Sequence, residues 1–200
     1  MPELAGKSAS VKISGTATTF TGEATTTTDD QIYQITSATK QVWDKATTPT
    51  VYDDGIATVE TYTVNKLTGT ITFATVDALR GPITVTGKYL PMTTATYAHE
   101  FSYSRGVELM EVNKFGDAYK ARLAGTKFAS GTLSQWDVTD EYFADALVAG
   151  DPVVIEFLAE TGADPIRVWA LLESNEMQAA IDNPQDNIVS FISTDELLNN

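Results

Sequence analysis

Apolar and polar residues alternate with a period of two along most of this chain. Val11 and Ile13 alternate with Lys12 and Ser14, and Ile32, Tyr33, Gln34 and Ile35 form another short run after a polar stretch over 25–30. Val59, Thr61 and Thr63 stand against Glu60, Tyr62 and Val64. A turn over 65–69 follows, and Ile71 and Phe73 then alternate with Thr70 and Thr72. Two alternating runs joined by a Gly-containing turn predict a hairpin. Ile83, Val85, Gly87 and Tyr89 alternate with Thr84, Thr86 and Lys88 in the next strand.

The middle of the chain repeats the pattern with longer strands. Tyr97, His99, Phe101, Tyr103 and Arg105 take one face, and Ala98, Glu100, Ser102 and Ser104 the other. Val107, Leu109 and Glu111 then oppose Glu108, Met110 and Val112. Residues 113–124 break the alternation and read as a protruding loop or the tip of a long hairpin. One helix is expected after Thr139. That residue suits an N-cap, Asp140 and Glu141 suit the positive end of the helix dipole, and Gly150 can close the C-terminus. Phe143, Ala146, Leu147 and Gly150 recur at three- and four-residue spacing, as a one-sided helix requires. Residues 174–181 suggest a second short turn of helix. Strands are expected at 152–159, 166–173 and 187–193, the first apolar on both faces and therefore central. The pattern predicts a mainly β fold, an antiparallel β-sandwich or barrel with one flanking α-helix. At 200 residues it is read as a single domain over 1–200, with 1–8 as an extended N-terminal arm.

Composition narrows the function. Lys and Arg number 13 against 27 Asp and Glu, a net charge of −14. A basic surface for nucleic acid is therefore excluded as the mode of action, because phosphate affinity comes from cation contacts. The acidity is uneven: residues 1–100 carry 7 basic and 10 acidic side chains, net −3, and residues 101–200 carry 6 and 17, net −11. Threonine runs the other way, with 25 in the first half and 5 in the second, which reads as a solvated sheet surface. Neither a signal peptide nor an apolar stretch long enough to cross a bilayer is visible, so the chain reads as made and folded in the cytosol.

Candidate chemistry is sparse. With no Cys there is no disulfide framework, cysteine metal site or thiol nucleophile. His99 is the one histidine, set among Tyr97, Phe101 and Tyr103, and reads as packed or interfacial. The adjacent acids Asp29 and Asp30, Asp53 and Asp54, and Asp140 and Glu141 flank turns or open the helix, and do not form a carboxylate dyad. Glycine-rich phosphate loops and calcium-loop spacing are absent. The expectation is a protein without catalytic residues, metal or cofactor.

Several segments together resemble a known family. They are Ala5, Gly6 and Lys7; the runs 10–15 and 21–26; 62–73 with its turn; 129–134; the helix; 153–157; and 189–195. In order and spacing these are similar to the major tail (tail tube) proteins of long-tailed, non-contractile bacteriophages. The resemblance implies a β-sandwich with a flanking helix that self-assembles into six-fold rings. Those rings stack into a tail tube, an acidic-walled conduit for DNA. It further implies a virion (tail) location after assembly in the host cytoplasm, with tape measure and tail terminator proteins as partners. DNA would pass without specific binding, and no membrane is involved. The charge fits a wall that repels phosphate, and it equally keeps a soluble monomer dispersed. The alternative is a phage decoration or carbohydrate-binding β-sandwich module.

Rings leave one further requirement, an element that reaches the next ring. Phe115, Gly116, Asp117 and Tyr119 are the candidate inter-subunit contacts: two aromatics supply area to bury and Gly116 permits a sharp turn. The other reading is an ordinary surface hairpin whose aromatics fold back on their own core.

Overall fold

The computed structural model describes residues 9–77, 81–112, 119, 122–136, 142–160, 164–180 and 183–194. In chain order the strands are β1 (Ser10–Ser14), β2 (Thr18–Thr27), β3 (Ile32–Ile35), β4 (Thr50–Asp53), β5 (Ile56–Ala57), β6 (Tyr62–Asn65), β7 (Thr70–Phe73), β8 (Ile83–Tyr89) and β9 (Met92–Thr94). Then come β10 (Ala98–Glu111), β11 (Arg122–Trp136), the helix α1 (Tyr142–Ala149), β12 (Val153–Leu158), β13 (Ile166–Ala180) and β14 (Asn183–Ser193). The fold is mainly β, with two antiparallel sheets and a single α-helix among the described residues. Contacts divide the chain into two compact units, Ile13–Thr93, and Met1–Lys12 with Thr94–Asn200.

The unit Ile13–Thr93 holds a seven-stranded sheet in the order β5-β4-β8-β2-β3-β7-β6. Its core comprises Phe20, Tyr33, Ile35, Trp43, Val51, Ile71, Phe73, Ile83 and Val85. These are the apolar members of the alternating runs, and the threonines between them face water. Phe73 is packed edge-on by Tyr33 at 5.5 Å and by Tyr62 at 5.9 Å between ring centroids. Buried Trp43 satisfies its indole by donating to the Lys40 carbonyl at 2.8 Å.

The hairpin expected at 65–69 is present as β6 and β7, with Asn65 opposite Thr70. The Asn65 side chain accepts from the Leu67 N–H, and the Gly69 N–H donates to the Asn65 carbonyl, each at 3.0 Å. Gly69 sits at φ +67°, and a Cβ there would lie 2.8 Å from the Gln41 carbonyl oxygen. The expected strand over 59–64 is shorter than its alternation suggested. Thr58 Oγ1 accepts from the Glu60 N–H in a local turn, Val59 is fully exposed, and pairing with β7 begins only at Tyr62. Period-two patterning without a ladder partner does not make a strand.

The other sheet runs β10-β11-β14-β13-β12-β1-β9. Phe101 on β10 lies 5.0 Å from Phe157 on β12, although β11, β14 and β13 stand between them in the sheet. Four strand spacings in a flat sheet would span about 19 Å, so this sheet is strongly rolled. Phe157 fills the concave side, packed also by Tyr103 at 5.7 Å and Phe191 at 5.6 Å. Gly131 leaves no room for a side chain: a Cβ there would fall 2.1 Å from the Ser102 carbonyl oxygen and 2.7 Å from the Phe191 ring. On the opposite face of β12, buried Glu156 accepts from Arg167 Nε at 2.7 Å and from Lys12 Nζ at 2.6 Å. One carboxylate thereby ties β12 to β13 and to β1.

β12 is buried along 153–157 and lies inside the sheet, as its apolar faces required. α1 packs on β13, with Phe143 buried and the Gly150 N–H closing on the Ala146 carbonyl at 3.0 Å. Thr139, Asp140 and Glu141 lie outside the described residues. The expected helical turn at 174–181 is not formed over 174–180. That segment continues β13 through the pairs Ser174–Ser190, Asn175–Val189 and Glu176–Ile188, because a long β14 offers ladder partners along most of it. Tertiary pairing overrides the local helical preference of Glu, Met, Gln and Ala there.

Candidate functional site

β10 is an edge strand, paired along its length with β11 from Ala98–Gln135 to Glu111–Arg122. β11 in turn pairs with β14 only between Ser130 and Trp136. Residues 106–111 and 122–128 therefore run beyond the rest of the sheet as a two-stranded ribbon. Its cross-strand pairs are Leu109 with Ala124, Met110 with Leu123 and Glu111 with Arg122. Val107, Leu109, Met110, Leu123 and Phe128 are all exposed on it, and so is Val112 just past the end of β10. A two-stranded ribbon is marginally stable alone, and this one shows apolar side chains to water on both faces. That combination makes the ribbon a candidate contact surface. Of the predicted contacts, Tyr119 is 90% exposed, and Phe115, Gly116 and Asp117 lie outside the described residues.

The ribbon is also electrostatically distinct. Five of the six basic residues in 101–200 fall within 105–127, against three acids, a local net of +2 in a chain of −14. Nothing in the period-two pattern drew attention to this clustering, although counting charges in shorter windows finds it.

The other end of the same strands is built differently. A register shift between Ala98 and Glu100 takes His99 off the Phe101 face, where alternation had put it. Its ring stacks on Trp136 at 5.1 Å and 18°, with Nε2 3.6 Å from an Asp186 carboxylate oxygen. Tyr97 accepts the Trp136 N–H through its carbonyl at 3.2 Å. Tyr97 and Trp136 are each about half exposed, at 49% and 48%. Beside them a row crosses four strands, Glu100, Ser134, Ile188 and Glu176, followed by a row of hydroxyls, Ser102, Thr132, Ser190 and Ser174. Ser102 and Thr132 share a 2.8 Å hydrogen bond. No Lys or Arg occurs in 89–104, 128–166 or 168–200, so His99 is the one basic side chain on this face.

No family model matches the chain, and no curated protein does. Among solved structures, it is similar to a chain in the tail of an empty GTA particle refined helically with C6 symmetry. That match is 12% identical over 54% of this chain and 85% of the other, with a TM-score of 0.46. A chain in the virion of a native gene transfer agent particle matches at 13% identity, over 53% and 86%, with a TM-score of 0.45.

The acids read as turn-formers keep that role. Asp29 Oδ1 accepts from the backbone N–H of Ile32 at 2.8 Å and Gln31 at 3.1 Å, which holds its carboxyl below the ordinary aspartate value. Asp54 (φ +46°) and Gly55 (φ +79°) form the two-residue loop of the β4–β5 hairpin. Burial pushes the Glu156 carboxyl up, but hydrogen bonds and charge from Lys12 and Arg167 outweigh it and leave the group below the ordinary glutamate value. Glu156 was not singled out as a site residue, though a lone acid inside the apolar run 153–158 was a visible signal. Among the described residues, no three His, Asp or Glu side chains converge as metal ligands do.

Proposed function

We propose that this chain is a structural subunit of a phage-like tail whose two compact units act together as one tail-tube-like body, assembling into rings that stack around a DNA conduit. The observation that carries the reading is the β10–β11 ribbon, a projecting apolar hairpin on the edge strand of a rolled sheet. An edge strand offers main-chain groups for a neighbour in the same ring, and a heterologous contact of this kind closes into rings. The ribbon then supplies the reach between rings. The sequence resemblance to major tail proteins supports the same reading, and an acidic second half suits a wall that DNA slides past. Tape measure and tail terminator proteins would complete the tube, in the virion, after assembly in the host cytoplasm.

Deleting residues 114–121 tests the role of the hairpin end. The expected product is folded and soluble but forms no tubes by electron microscopy of concentrated protein. Normal tubes from that variant would remove the hairpin as the stacking element.

A further inference from the structure

The geometry points to the receiving surface for the ribbon: the acidic aromatic patch of Tyr97, His99 and Trp136, with Glu100 and Glu176 beside it, takes the β10–β11 ribbon of a second copy. This rests on the stacked-ring reading and specifies which two surfaces meet.

Ribbon and patch lie at opposite ends of the same two strands, about ten residues or roughly 30 Å apart. Contact between unlike ends of one element is heterologous, so each copy offers one ribbon and one patch and the pairing propagates indefinitely. Chemistry matches across the contact. The ribbon brings exposed Leu109, Met110, Leu123 and Phe128, and the patch offers half-exposed Tyr97 and Trp136 as flat apolar partners. The segment 105–127, which includes Arg122 and Lys127 along with Glu108 and Glu111, is net +2, and the patch has Glu100 and Glu176 with no Lys or Arg in 89–104, 128–136 or 168–180. Two ribbons would face each other with like charge, and so would two patches. Opposed charge at the contact therefore selects ribbon-to-patch order over ribbon-to-ribbon order. The occupant is a second copy because the patch is acidic and repels nucleic acid, whereas the cationic ribbon finds its complement on the acidic remainder of this same chain.

Charge reversal tests the pairing in the full-length protein. Three variants are needed: Arg122→Glu with Lys127→Glu on the ribbon, Glu100→Lys with Glu176→Lys on the patch, and all four together. These are exposed residues, and folding is checked by circular dichroism. Wild type and variants are then compared by sedimentation and electron microscopy. Each double reversal is expected to raise the concentration needed for stacking at least tenfold, and the quadruple variant to restore stacking to near the wild-type concentration. Patch reversal that stacks like wild type, or a folded quadruple variant no better than the doubles, overturns the assignment. So does a ribbon reversal that stacks normally but loses retention of duplex DNA, which would make the ribbon a nucleic-acid contact. Failure of the wild-type protein to stack at all overturns the tube reading itself, a distinct outcome.

Discussion

Replacing Glu156 with Gln removes the one negative charge shared by Arg167 and Lys12, and the structure says which of the two partners suffers. The Glu156 side chain is 4% exposed and that of Arg167 10%, whereas Lys12 is 38% exposed. Arg167 would keep a nearly buried guanidinium without the Glu156 charge, and breaking a buried pair by removing one partner costs about 3–5 kcal/mol. Lys12 can turn its ammonium to water, and its exposed pair with Glu156 is screened, so Lys12→Met should cost only about 1 kcal/mol or less. Urea unfolding followed by tryptophan fluorescence reads the difference, because Trp169 lies two residues from Arg167 on β13. The pH dependence follows from the depressed folded-state value of Glu156. The stabilisation is fully present above the ordinary glutamate value of 4.5 and is lost as pH falls from there through the lower folded value. Wild type should therefore lose stability over that window more steeply than Glu156→Gln. Equal losses from Glu156→Gln and Lys12→Met, or matching pH profiles for wild type and Glu156→Gln, would refute the claim that the Arg167 pair carries the stabilisation.

Gly131→Ala should destabilise by at least about 2–3 kcal/mol, since its methyl meets a backbone oxygen and the buried Phe191 ring; chemical denaturation measures it, and a neutral result would show that the roll tolerates more space than its geometry allows. Gly69→Ala should cost about 2–4 kcal/mol, combining a positive φ with crowding against Gln41. Gly22→Ala, at φ +62° but in open space, should cost only about 1–2 kcal/mol. Equal losses at these two sites would mean that crowding at Gly69 contributes nothing.

What the sequence alone determined is what depends on near neighbours. Alternation marked nearly every strand because side chains of a strand point to opposite faces whatever lies beyond them. The turn at 65–69 was equally local, closed by Asn65 and by the backbone freedom of Gly69. The helix was legible from its apolar spacing, and β12 from its two apolar faces. Tertiary structure decided the rest. Residues 174–180 became strand because β14 supplied hydrogen-bond partners. Val59 lost its strand because β7 did not reach it. His99 left the Phe101 face because one irregularity in register breaks period-two counting for the residues around it. The patch of His99, Trp136 and Asp186 joins three strands up to 87 positions apart in sequence, and the roll that sets Phe101 against Phe157 spans five strands of the sheet. Local patterning states which face a side chain takes; only the order and curvature of the sheet state what it meets there.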